Sequence, residues 1–150
     1  MNLQNPLASV RTIVLIDWPS REVPETLARA GFEVNVKGGP GPEDFSVYEL
    51  DGSEIVTRRT GQQPKRADLV YSYRPLSELP GIVELAKTLQ ARTIWTQSGL
   101  SAPDIKDPRG CWVAAPDAQA ARKLVQSAGM SYLFETYIVD ACRRLRTAKP

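Results

Sequence analysis

Thr12-Ile13-Val14-Leu15-Ile16-Asp17-Trp18-Pro19-Ser20-Arg21 passes from an unbroken, mostly apolar segment into a polar loop, and a helical pattern follows as far as Gly31. A short apolar run of this kind suits a strand covered on both faces, as in a parallel sheet. Val23, Leu27 and Ala30 recur at helical spacing. Ser20 stands where a helix N-cap belongs, Pro24 falls within the first turn, and Gly31 sits at the C-cap glycine position. Phe32 to Lys37 returns as a second strand. Strand, helix and strand in this order form a right-handed crossover unit. In open sheets built from such units, ligands bind beyond the carboxyl ends of the strands. The loop Asp17 to Arg21 is therefore the first place to expect function.

The alternation continues downstream. Gly38-Gly39-Pro40-Gly41-Pro42 is the densest Gly/Pro cluster and reads as a loop. Phe45 to Arg59 reads as a hairpin around Asp51-Gly52. Ala67 to Tyr73 is a third core strand. Ser77 is a candidate cap for a helix whose apolar stripe is Leu79, Ile82, Val83, Ala86 and Leu89. Thr93 to Gln97 is a fourth core strand, and Leu100 to Ala115, with Pro103, Pro108 and Gly110, reads as a long loop of the kind that tends to carry function. Asp117 would cap a helix with Ala118, Ala121, Leu124, Val125 and Ala128 inward. Met130 to Phe134 is a last strand, and Thr136 to Arg146 a closing helix burying Ile138, Val139, Cys142 and Leu145. The expected fold is α/β: a Rossmann-like, doubly wound, mainly parallel sheet with helices on both faces and an inserted β-hairpin. Residues 1–150 make one domain, with residues 1–11 as a flexible arm.

Composition narrows the chemistry. The chain has 150 residues, 42% hydrophobic and 24% charged, with a formal net charge of +2. That balance gives no sign of a nucleic-acid or membrane-surface partner. The basic C-terminus, Arg143, Arg144, Arg146 and Lys149, reads as a helix end complementing its own dipole. No apolar span is long enough for a transmembrane helix, and Met1 to Arg11 lacks the pattern of a signal peptide. A reduced, cytoplasmic setting is the expectation. There is no histidine. Histidine triads, histidine acid–base catalysis and histidine metal ligation are thereby excluded. Asp104 and Asp107, or Glu43 and Asp44, match no hard-cation loop. Cys142 reads as a small buried apolar residue, and Trp95 as core.

Four loops fall at strand carboxyl ends and would line one cleft. They supply Trp18 and Tyr73 for stacking, Arg21, Lys37 and Arg74 for charge, and exposed backbone at Gly38, Gly39 and Gly99. Stacking, cations and backbone amides together suit a nucleotide with phosphates. Lys37 discriminates among nucleotides. NAD-binding versions of this architecture usually carry an acid there for the ribose diol. A lysine favours an extra ribose phosphate, as in coenzyme A or NADP. The first loop also lacks the Gly-x-Gly-x-x-Gly fingerprint.

Arg92-Thr93-Ile94-Trp95-Thr96-Gln97-Ser98-Gly99 is similar to the Trp-x-Gln-x-Gly segment of the small stand-alone CoA-binding domain proteins, whose fold is shared with the CoA-binding half of succinyl-CoA synthetase. Tyr73-Arg74-Pro75, after Asp68-Leu69-Val70, resembles that family's aromatic-Arg-Arg-Pro stretch, and Lys37-Gly38-Gly39-Pro40 occupies the place of a Gly/Pro-rich loop that touches CoA in the synthetase subunit. The resemblance runs over roughly Thr12 to Leu145. It implies a non-catalytic CoA or acyl-CoA binding module with Trp18, Pro19, Ser20, Arg21, Lys37, Gly38, Gly39, Pro40, Tyr73, Arg74, Pro75, Gln97, Ser98 and Gly99 around the ligand. The synthetase subunit's phosphorylated histidine has no counterpart here. The first loop also departs from the family, reading Asp17-Trp18-Pro19-Ser20 where a Gly-Ala-Ser-like sequence is usual. A carboxylate about 4 Å from a phosphate costs roughly 4 kcal/mol at an effective dielectric near 20.

Two other readings belong to different classes. One is a protein-interaction or regulatory module with a degenerate nucleotide site, joined to a partner or a second copy through the edge of the hairpin. The other is an NADP-binding enzyme with the extra phosphate on Lys37.

Overall fold

A computed structural model of the chain describes residues 5–17, 21–39, 41 and 43–147. Among these, seven strands form one sheet in the order β4-β3-β2-β1-β5-β6-β9. The strands are β1 (Thr12–Ile16), β2 (Glu33–Lys37), β3 (Phe45–Asp51), β4 (Glu54–Arg59), β5 (Leu69–Ser72), β6 (Thr93–Thr96) and β9 (Ser131–Leu133). The five from β2 to β9 run parallel. The β3–β4 hairpin extends the same sheet antiparallel from β2, with Val34 opposite Tyr48 and Lys37 opposite Phe45. Its turn carries Gly52 at φ +66°, where glycine is favoured.

Helices α1 (Glu22–Arg29) and α4 (Ile138–Thr147) cover one face; α2 (Leu79–Thr88) and α3 (Ala115–Ser127) cover the other. The α1/α4 layer closes on Ile13, Leu15, Val34, Tyr71 and Trp95; the α2/α3 layer closes on Val14, Val70 and Ile94. Alternate residues of β1 thus enter opposite cores, which is why its run is apolar throughout. Trp95 is core, as its strand position implies: its ring meets Tyr71 edge-on at 5.7 Å and its Nε1 donates to the Thr136 carbonyl at 2.9 Å. Gly31 follows α1 at φ +100°. The fold is the expected Rossmann-like α/β architecture.

Several local expectations need correction. The N-terminal segment is docked from Asn5 onward. Leu7 is 1% exposed in the α1/α4 layer, Asn5 donates to the Ala141 carbonyl at 3.0 Å, and the Arg11 and Thr12 amides donate to Asp68. Leu7 and Val10 against the core, the Asn5 side chain and the Asp68 carboxylate tie the segment down. Ser77 does not cap α2; it lies inside a 3₁₀ turn, Leu76–Glu78, that leads into the helix. Asp117 sits in the first turn of α3 and Ala114 holds the cap position, because α3 starts three residues earlier than a cap at the aspartate implies. Leu124 is 38% exposed. The long loop also contains a small antiparallel pair, β7 (Leu100–Ala102) and β8 (Ile105–Lys106). These strands are too short to show a period of two. Ser20 lies outside the described residues.

Candidate functional site

The sheet order places β1 between β2 and β5, and the chain leaves β1 toward one face and β5 toward the other. The crevice beyond their carboxyl ends is the topological switch point, where open α/β sheets take their ligands. Two residues meet across it. Arg74, just after β5, donates from Nη1 to Asp17 Oδ2 at 2.6 Å, just after β1. Its other edge grips Glu78 through Nε at 3.1 Å and through Nη2. Glu78 lies one turn on because the 3₁₀ turn brings it back over Arg74. The two carboxylates, Glu78 first and Asp17 second, hold the guanidinium more firmly protonated than an ordinary arginine, and Arg74 in turn holds Glu78 below the usual carboxyl range. Asp17 makes this contact from a left-handed backbone, φ +54°. Few residues other than glycine adopt that conformation, aspartate and asparagine most readily.

A cavity of about 560 Å³ opens beneath this bridge. Lys37, Gly38 and Gly39 form one wall, and Glu78, Gly81 and Leu85 of the α2 side form the other. Lys37 Nζ donates to the Gly39 carbonyl at 2.5 Å, so the lysine folds over the glycine loop. The Gly38 amide donates to the Asp44 carbonyl at 2.9 Å and the Gly41 amide to Asp44 Oδ2 at 2.8 Å, which shapes the loop from below. A Cβ at Gly38 or at Gly81 would meet nothing within 4 Å. Glycine inside a helix costs about 1 kcal/mol relative to alanine; at Gly81 the missing side chain leaves the cavity wall open. Two cations and two carboxylates line the cavity, so its charges balance.

A second cavity, about 370 Å³, lies on the far side of Arg74, which lines both. Tyr73, Pro75, Gln97 and Ser98 line it, together with Trp112 and Val113 of the long loop. Gln97 is buried; its Oε1 accepts from the Tyr71 hydroxyl at 2.7 Å and its Nε2 donates to the Gly110 carbonyl. Gly99 is buried at φ +73°, and a Cβ there would come within 2.4 Å of the Tyr73 hydroxyl oxygen. Gly110 is tighter still: a Cβ would stand 2.2 Å from the Leu100 carbonyl. The loop is clasped from outside. Arg109 and the Tyr137 hydroxyl each donate to Glu22 at 2.8 Å, and the Arg109 guanidinium lies over the Tyr137 ring. The Tyr137 hydrogen bond, aided by Arg109, keeps Glu22 below the usual carboxyl range. Burial pushes the half-buried Cys111 thiol up, which disfavours a reactive thiolate.

The expected site residues therefore divide. Lys37, Gly38, Gly39 and Arg74 share the first cavity; Tyr73, Arg74, Pro75, Gln97 and Ser98 share the second; Gly99 lies buried beneath Tyr73. Arg21 turns elsewhere, paired with Glu25 and lying 5.5 Å over the Tyr48 ring. Trp18, Pro19, Ser20 and Pro40 lie outside the described residues. Sequence reasoning missed Glu78, Gly81 and Trp112. The signals available were a glycine inside α2 and, for Trp112, its place in the long loop Leu100 to Ala115.

The sequence matches the CoA binding domain family over residues 16–140. The chain belongs to the CoA-binding domain family. The match spans both cavities of this CoA-binding domain. Its fold is also that of two solved structures. Prb, the PH1109 protein redesigned for binding, superposes with a TM-score of 0.61 at 15% identity, over 95% of this chain and 89% of the other. A protein from Thermus thermophilus, cell-free ID.343, gives 0.53 at 19% identity, over 93% and 92%. At these identities the likeness is one of fold. Among curated proteins none matches the sequence. No described helix of the CoA-binding domain is long and apolar enough to cross a membrane, and no group of three or more acidic or thiol side chains among its described residues is placed to hold a metal ion.

Proposed function

We propose that the chain is a cytoplasmic, non-catalytic module that binds coenzyme A or an acyl-CoA. The observation that carries this reading is the convergence of Lys37, Gly38, Gly39 and Arg74 on one cavity at the switch point, in a chain of a CoA-binding family. Lys37 meets the ribose phosphate and Arg74 meets the pyrophosphate, with the glycine loop letting the ligand approach closely. Asp17 and Glu78 occupy Arg74 until the ligand competes for it. The absence of histidine and the raised Cys111 thiol leave the cavities without a general base or an activated nucleophile of those types.

Calorimetric titration with CoA, dephospho-CoA and NADP tests this. CoA is expected to bind more tightly than dephospho-CoA, and Lys37→Ala is expected to erase most of that difference. Binding of NADP alone would replace the reading with the dinucleotide enzyme. A second reading has its own observation. β4 is the outermost strand, and Glu54 and Val56 to Arg59 are exposed along it. A second copy pairing antiparallel there would set Glu54 against Arg59, so a self-complementary dimer is the competing account. Light scattering of the wild type and of Val56→Pro separates a monomer from a dimer joined at that edge.

A further inference from the structure

The second cavity is built from polar groups that are already used. Thr96 shares a hydrogen bond of 2.7 Å with the Tyr132 hydroxyl. Gln97 is held at both ends by Tyr71 and the Gly110 carbonyl. Ser98 Oγ lies 3.2 Å from the carbonyls of Leu100 and Gly110 and accepts from the Leu100 amide at 3.1 Å. What these side chains leave for a visitor is mainly apolar surface: Leu76, Leu100, Val113 and the indole of Trp112, which is 37% exposed. A group that seeks hydrogen bonds gains little here, whereas a hydrocarbon loses water against these walls. Arg74, the cation among the lining residues, is held by Asp17 and Glu78, so a carboxylate entering the chamber would lose water without gaining a free partner. Asp117 lines the cavity from the first turn of α3, where its carboxylate already answers the positive end of that helix.

We propose that this chamber receives the uncharged, aliphatic acyl group of a short- to medium-chain acyl-CoA, and that Trp112 is the wall that sets its preference. The inference rests on the CoA reading above: Arg74 lines both cavities, so a thioester arm leaving the first would pass its side chain to enter the second. A volume near 370 Å³ lies at the small end of the range for small-molecule sites, about 300–1,000 Å³. The chamber therefore fills within a few methylenes.

The test is calorimetry of the whole chain with CoA and with acetyl-, butyryl-, hexanoyl- and succinyl-CoA, repeated on Trp112→Ala and Trp112→Phe. Affinity is expected to rise from acetyl to hexanoyl by up to about four-fold per buried methylene. Succinyl-CoA should bind more weakly than butyryl-CoA. Trp112→Ala should flatten the chain-length series and Trp112→Phe should keep most of it, which separates the loss of an apolar wall from a disturbed loop. If CoA binds but the wild-type series is flat, or if Trp112→Ala leaves its slope intact, the acyl chamber is overturned and the CoA reading stands. If no CoA species binds, the CoA reading itself falls.

Discussion

The two cavities that meet at Arg74 differ in how their polar groups are used. The first holds charge in balance, Asp17, Lys37, Arg74 and Glu78, beside the apolar side chains of Ile16, Ile82 and Leu85. Its charged groups can exchange partners, because salt bridges between exposed side chains are individually weak. The second has spent its polar groups on the fold. Gln97 and Ser98 brace the loop that carries Trp112, and Glu22, Arg109 and Tyr137 clasp it from outside. A site meant for an ion keeps its donors negotiable, and a wall meant for hydrocarbon commits them.

The sharpest way to break this contrast is Gly110→Ala. Its Cβ would collide with the Leu100 backbone rather than with a movable side chain. Overpacking of this kind costs on the order of 3 kcal/mol. A denaturant melt should show the loss, and an unchanged midpoint would mean that the loop is less committed than its packing implies. Next comes Arg74→Ala. An arginine making charge-assisted bonds to phosphate is worth about ten- to a hundred-fold in affinity. Calorimetry with CoA reads this directly, and undiminished affinity would remove Arg74 from the site. Asp17→Asn is smaller and of opposite sign. Asparagine tolerates the left-handed backbone and still accepts from Arg74, but it subtracts a negative charge from the first cavity. CoA should bind about two- to five-fold more tightly; weaker binding would show that the charge of Asp17 is needed to hold Arg74 in place.

The smallest effect concerns the clasp. Glu22 titrates lower in the folded chain than in the unfolded one. Its contribution is therefore present above the unfolded value of about 4.3 and is lost as pH falls through the folded value. Between pH 6 and pH 3 the wild type should lose more melting temperature than Glu22→Gln, by about a degree or two. Equal losses would mean that the clasp adds nothing to stability.

Much of this was legible in the chain. The unit from Thr12 to Lys37 declares itself because strand and helix periods differ and Gly31 marks the change between them. Lys37, Gly38, Gly39 and Arg74 could be placed on one cleft because strand ends share one side of a parallel sheet. What stayed hidden depends on where side chains turn. Arg21 is drawn away by Glu25 one helical turn on and by Tyr48 from a later strand. Glu78 returns to Arg74 only because a 3₁₀ turn intervenes. Trp112 becomes a wall through a strand pair too short to leave a pattern. Leu7, in a segment with no helical or strand period, docks in a layer with a helix from the far end of the sequence.

The tip between β7 and β8 offers a practical handle. Pro103 and Asp104 are exposed there, and the strands they join end at Ala102 and Ile105. Backbone so lightly held tolerates spliced sequence better than the rest of the fold. Leu100 and Trp112, close to the same short ribbon, face the second cavity. A fluorophore or a circularly permuted reporter spliced at this tip would ride on the cavity wall, and the protein would become an optical sensor whose signal follows its own ligand.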